Sequence, residues 1–225
     1  MDLFKQIYRF YSQLGMDMSP DNTYILNRMQ FWRYLKDCNV HINEENLTLM
    51  EFDRLLNPDM APNDLHCPFD KILIREFFNY NALIAYHLFK SEFKGDGLVV
   101  SWCIKKLIEE NILKFSCNVR GDFYISTRKT LSVLNYMIKA YDIYRMVCKK
   151  RTRAPYDSTI TMRMFINYLN EFKLIQKKSL STTDVVKILA ADNQQVFDFD
   201  NAYNLDFEVS LILGYLIDLS SIESR

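Results

Sequence analysis

Phe31-Trp32-Arg33-Tyr34-Leu35 and Phe165-Ile166-Asn167-Tyr168-Leu169 share one frame, met twice at a separation of 134 positions. In each, Phe, Tyr and Leu stand three and four residues apart, which makes them neighbours on one face of a helix. The likeness extends outward on both sides. Tyr8-Arg9-Phe10-Tyr11 matches Tyr141-Asp142-Ile143-Tyr144, 133 positions on. Leu47-Thr48-Leu49-Met50-Glu51 with Arg54-Leu55-Leu56 matches Leu180-Ser181-Thr182-Thr183-Asp184 with Lys187-Ile188-Leu189, also 133 on, and Glu76-Phe77 matches Glu208-Val209, 132 on. A register that drifts by one between blocks is what loop insertions leave behind, so the chain reads as one unit used twice.

Each unit reads as four helices. Phe4, Ile7, Tyr8, Tyr11 and Leu14 form one apolar stripe from Leu3 to Leu14, stopped by Gly15. Ile25, Met29, Trp32 and Leu35 repeat the stripe from Tyr24 to Asp37, and Thr48 with Glu51 is spaced as a capping start for Phe52, Leu55 and Leu56. A loop holding Pro58, Pro62 and Pro68 leads to a long helix over Phe69 to Phe89. The second copy predicts helices near 130–148, 160–172, 181–191 and 204–218. Lys94-Gly95-Asp96-Gly97 is the clearest break, Leu98 to Asn111 reads as a bridging helix, and apolar alternation around Gly121-Asp122, from Leu113 to Ser126, predicts a β-hairpin. The expected architecture is therefore mainly α. Two related helical lobes, 1–93 and 130–225, resemble degenerate EF-hand-like helix pairs, and 94–129 joins them as a bridging helix and a small β-hairpin.

At 225 residues, either one large domain or two lobes can bury a core without disulfides. Five Gly and five Pro are few, which favours helices, and 16 Phe with 14 Tyr must fill a core or face a partner. Lys plus Arg equals Asp plus Glu at 28 each, so no net field draws the chain to nucleic acid or membrane. The cysteines, Cys38, Cys67, Cys103, Cys117 and Cys148, are scattered without a C-x-x-C pair, a pattern that suits a reducing compartment. Asp2 and Lys5 interrupt the amino terminus where a secretory signal needs an apolar core, and no apolar run approaches a bilayer span. The expected setting is the cytoplasm.

The loops offer few sites. Asp17-Met18-Ser19-Pro20-Asp21-Asn22 resembles the opening of a calcium loop, but the twelfth position counted from Asp17, where a bidentate Glu is required, is Arg28. The equivalent stretch of the second copy, Lys149 to Asp157, is basic where ligands should stand. Cys38 with His41, and His66 with Cys67, are poor zinc candidates, since four ligands in matched pairs are required. Only His41, His66 and His87 could serve as catalytic imidazoles, no nucleophile motif accompanies them, and the glycines at 15, 95, 97, 121 and 214 build no phosphate loop. The reading therefore names no catalytic, metal or cofactor residue. For partner binding it names Trp32, Tyr34, Tyr156 and Tyr168 as a candidate aromatic patch. It adds the basic run Lys149, Lys150, Arg151 and Arg153, which could meet an acidic partner such as a tubulin tail.

The run Phe31 to Cys38, followed by Asn46-Leu47-Thr48-Leu49 and Asp53-Arg54-Leu55-Leu56, resembles the carboxyl-terminal region of the MORN-repeat radial spoke head proteins of motile cilia (radial spoke head ten homologue B). Pro20-Asp21-Asn22-Thr23, Pro68-Phe69, Ile72-Leu73-Ile74-Arg75, Ala85-Tyr86-His87, Ala154-Pro155-Tyr156, Met162-Arg163 and Ala191-Asp192-Asn193 follow that family in order, over roughly residues 8 to 215. The family's glycine-rich MORN repeats are missing, which makes the chain a fragment or a shortened member. A fainter likeness, over Trp32 to Asp53, is to the degenerate calcium-hand domain of tubulin-polymerisation-promoting proteins. The first resemblance implies a non-catalytic scaffold in the radial spoke head of the ciliary or flagellar axoneme, with other axonemal proteins as partners and tubulin as a further candidate. The second implies a cytosolic microtubule-binding regulator. Neither implies a membrane or a nucleic acid.

Overall fold

Tyr8 shows how the first half is tied together: its hydroxyl donates to the Ile72 carbonyl at 2.9 Å and accepts from the Leu26 N–H at 3.2 Å. It thereby joins a helix to both strands of a short ladder. The computed structural model describes residues 2–16, 24–43, 47, 49–60, 66–119, 138–150, 158–175, 181–191 and 206–207, and the chain is mainly helical. It divides into two compact units, Met1–Arg120 and Gly121–Arg225.

In the first unit, α1 (Asp2–Gln13) buries Phe4, Ile7, Tyr8 and Tyr11, the stripe expected from their spacing. It ends beside Gly15, whose φ of 73° a side chain would oppose. β1 (Leu26–Asn27) pairs antiparallel with β2 (Lys71–Ile72), Leu26 opposite Ile72. Because β1 takes up residues 26–27, α2 runs from Arg28 to Asp37 and starts later than the apolar stripe suggests. A reciprocal capping box fixes that start: Asn27 Oδ1 accepts from the Gln30 N–H at 2.8 Å, and Gln30 Oε1 accepts from the Asn27 N–H at 3.0 Å. The Gln30 amide also donates to the Leu14 carbonyl at 2.8 Å, closing the end of α1.

Helix α3 (Leu49–Leu56) follows, and α4 (Ile74–Phe89) starts after β2 for the same reason as α2, with Glu76 Oε2 accepting from the Leu73 N–H at 2.7 Å. The core of this unit is aromatic. The Phe77 ring meets Phe4, Tyr8, Phe31 and Tyr34 at centroid distances of 6.1, 5.6, 6.1 and 5.2 Å, all edge-on or tilted, as ring quadrupoles prefer.

Helix α5 (Val99–Leu107) runs through a π turn (Ile108–Ile112) into a last helical turn, Leu113–Phe115. It packs on α4 within the first unit. The Asn111 side-chain amide donates to the Cys38 carbonyl at 3.0 Å, and the Cys117 N–H donates to the Tyr11 hydroxyl at 3.1 Å. The hairpin expected over Leu113 to Ser126 is corrected in its first arm. Leu113–Phe115 continues the helix, and Cys117 leaves it with φ 60°. Residues 120–126 of that stretch lie outside the described residues.

The second unit holds helix α6 (138–147), β3 (Lys149–Lys150), β4 (Ser158–Thr161), α7 (Met162–Glu171), α8 (Thr182–Ala191) and β5 (Asp206–Phe207), with the strands in the order β3-β4-β5. Its parts repeat the first unit. α7 has the 10 residues of α2, Thr161 caps it as Asn27 caps α2, and Lys173 leaves it with φ 58° where Asn39 has φ 55°. Ile160 pairs with Phe207 as Leu26 pairs with Ile72. The closing bonds also agree, the N–H groups of Val40 and Leu174 donating at 2.9 Å to the carbonyls of Leu35 and Leu169.

Candidate functional site

The densest polar group among the described residues surrounds Asp53, a carboxylate buried on α3. Its Oδ1 accepts from Arg28 Nη1 at 3.0 Å, and its Oδ2 accepts from Trp32 Nε1 at 3.0 Å and lies 3.1 Å from His66 Nδ1. The other arm of the Arg28 guanidinium reaches Asp70 at 3.2 Å. Arg28 and Trp32 sit one turn apart on α2, so both point at α3, while His66 and Asp70 come from the turn that precedes β2. One planar cation thus binds α2, α3 and that turn together, a task its fork suits better than an ammonium. Arg28 and Asp53 are both almost wholly buried, where a charge persists only when paired and hydrogen-bonded. With these donors aimed at its oxygens, Asp53 is a tie between elements.

The residue singled out as fatal to a calcium loop, Arg28, therefore has a positive role. The Asp17–Asn22 stretch lies outside the described residues. Among the described residues, no group of three or more His, Cys, Asp or Glu side chains stands where it could hold a metal ion. Cys38 is fully buried, and burial pushes its thiol far above the usual range; burial raises the Cys67 thiol as well. No helix among the described residues is long and apolar enough to cross a membrane.

Two of the four aromatic residues expected to face a partner do not. Trp32 is buried and donates to Asp53. Tyr34 has no exposed surface, and its hydroxyl donates to Asn81 Oδ1 at 2.5 Å. Both lie on the inner face of α2, because the repeated Phe-x-x-Tyr-Leu frame is the core stripe. Tyr168, the counterpart of Tyr34, is half-buried, and Tyr156 lies outside the described residues. Of the basic run, Lys149 and Lys150 form β3, opposite Thr159 and Ser158, while Arg151 and Arg153 lie outside the described residues.

Sequence reading passed over two features. Asp53 lies on one helix while His66 and Asp70 lie in a separate turn, and only the charge of Arg28 hinted that a buried anion must answer it. Phe172 and Leu174, just beyond α7, are exposed apolar side chains at positions whose counterparts Cys38 and Val40 are buried. Aligning the two copies would have shown that these positions stay apolar. No family model and no solved structure matches the chain.

Proposed function

We propose that the chain is a non-catalytic scaffold of the ciliary or flagellar axoneme, in the radial spoke head, that binds neighbouring proteins through its helical units. The observation that carries the reading is the Arg28 tie. Where a calcium-responsive helix pair keeps carboxylates for an ion, this one places a buried guanidinium between Asp53 and Asp70, so the first unit has a fixed shape of the kind an assembly needs. The ordered blocks from Phe31-Trp32-Arg33-Tyr34 to Ala191-Asp192-Asn193, which resemble the radial spoke family, are what supports the proposed location. A structural role also agrees with Asp53, whose oxygens are aimed at donors of its own chain.

The test is fractionation of motile cilia. The protein is expected in the detergent-insoluble axoneme, labelled along its length by immunolocalisation; recovery wholly in the detergent-soluble fraction would overturn the reading.

A further inference from the structure

The outer face of α4 carries a cation at each end and no carboxylate between them. Arg75, Asn79, Leu83, Tyr86 and Lys90 are all exposed. Their spacing puts them within an arc of about 80° and spreads them over about 22 Å of helix. From Asn79 onward the spacing is that of a two-helix seam, with Leu83 41% and Tyr86 36% exposed at its centre. The Lys90 ammonium lies 5.4 Å from the centre of the Tyr86 ring, which sets a cation beside the aromatic side chain. The carboxylates next to the two ends are engaged within the chain: Glu76 accepts from the Leu73 N–H, and Glu92 is held by Lys106. Among the described residues Arg75 and Lys90 form no ion pair, and neither do Lys71 and Lys94 just beyond them.

We propose that this face of α4 docks an acidic helix of another protein, with apolar side chains on Leu83 and Tyr86 and carboxylates beside Arg75 and Lys90. The inference rests on the scaffold reading and names one surface that it uses. Charge decides the occupant. A second copy laid parallel would set Lys90 against Lys90 and Arg75 against Arg75, and one laid antiparallel would set Arg75 against Lys90. Both self-pairings bring like charges together. A partner helix with Glu or Asp in those places pairs them instead, as flanking charges select partners in two-helix seams. An anionic bilayer fits less well, because lying in its interface takes a broad apolar face, and this one has two apolar residues between polar ends.

The probes are two fluorescently labelled helical peptides of about three heptads with leucine along the seam, one flanked by glutamates and its twin by lysines. Each is titrated against the full chain by anisotropy. Saturable one-to-one binding of the glutamate peptide is expected, with the lysine peptide weaker by about tenfold or more. Leu83→Ala should weaken the glutamate peptide about tenfold, and Arg75→Glu combined with Lys90→Glu should reverse the preference, so that the lysine peptide binds better. Because these side chains are exposed, the variants should keep the wild-type circular dichroism. Absence of saturable binding, equal binding of the two peptides, or a preference that the double charge reversal leaves in place would overturn the assignment. A dimer in sedimentation, or capture on phosphatidylserine vesicles, that Leu83→Ala abolishes would overturn it too, by making a second copy or a bilayer the occupant. If the glutamate peptide fails while the wild-type chain stays in extracted axonemes, the surface is wrong and the scaffold reading stands. If the chain is absent from axonemes, the scaffold reading fails and the peptides still decide the surface.

Discussion

Arg28 carries more of the first unit's specificity than any other single side chain, because it bridges two carboxylates that approach from different elements. Its removal leaves Asp53 buried with a charge lacking its cation, so Arg28→Ala should cost about 3–5 kcal/mol in urea unfolding. Arg28→Lys keeps the charge but cannot reach Asp53 and Asp70 with a rigid fork, and should lose a large part of the same amount. An unfolding midpoint for Arg28→Ala equal to wild type would show that the tie is not structural. Arg28 was legible in the sequence as a cation in the wrong place for calcium. Asp53 was not, because a lone Asp among apolar residues on a short helix carries no sign of which donors the fold will bring to it. A second residue-scale case is half-buried. Ser181 donates to Asp184 through its hydroxyl at 2.6 Å and its N–H at 3.1 Å, which holds that carboxyl below its usual value. A depressed folded-state pKa contributes stability above the unfolded value that is lost as pH falls through the folded one, here below about pH 4. Ser181→Ala should bring the Asp184 titration, followed by carbon-detected NMR, back up toward an ordinary aspartate; an unmoved titration would rule out the capping bond as its cause.

At the scale of elements, the apolar stripes of α1, α2 and α7 were readable because three- and four-residue spacing leaves one face to bury. Their starts were less readable. Leu26 and Asn27 fall inside the stretch expected to be helical from Tyr24, yet pairing with Ile72 and Lys71 draws them into a strand, and Asn27 then becomes the cap. The first arm of the expected hairpin gave way to the same competition in reverse: Leu113 and Phe115 alternate like a strand, but they follow a formed helix, and adding a turn to it is easier than starting a ladder. The roof that this extra turn places over α2 has a chemical consequence. Cys38 and Cys103 are buried and Cys117 is exposed, so a thiol reagent should modify Cys117 first and leave Cys38 unreacted in the native state. Asn111→Ala removes the bond to the Cys38 carbonyl, worth about 1 kcal/mol, and should speed labelling of Cys38 without exposing Cys103. Mass spectrometry of the labelled chain distinguishes the sites, and a Cys38 rate indifferent to Asn111→Ala would mean that the roof is held by other contacts.

Across the molecule, the repeat was legible from its aromatic blocks. The exposure of Phe172 just beyond α7 was not, since the spacing that puts Cys38 in the core gives no sign that its counterpart faces outward. The tyrosine surplus, read as mostly core, gives the first unit a marked dependence on alkaline pH. Burial is the leading cause that raises the phenols of Tyr8, Tyr11, Tyr34 and Tyr80, with neighbouring negative groups adding to it: Glu76 beside Tyr8 and Tyr80, and Asp37 beside Tyr11. Each stays protonated in the folded chain at a pH where the unfolded chain ionises. The folded state then binds more protons than the unfolded one, so stability is fully present below the usual phenol value of about 10 and falls as pH rises beyond it. The loss should be cooperative, because Tyr8 holds β1 to β2 and Tyr11 holds Asp37 and Cys117, and ionising either one removes a donor that the fold uses. Phenolate absorbance followed together with helical circular dichroism through an alkaline titration should show an exposed group of tyrosines ionising first, with helix intact, and a second group ionising only as helix is lost. Tyr34→Phe, which removes the most deeply buried phenol together with its bond to Asn81, should shift that second step to higher pH even though it lowers stability at neutrality. Smooth ionisation of every tyrosine near the usual value, with helix unchanged, would contradict an aromatic core tied through its hydroxyls.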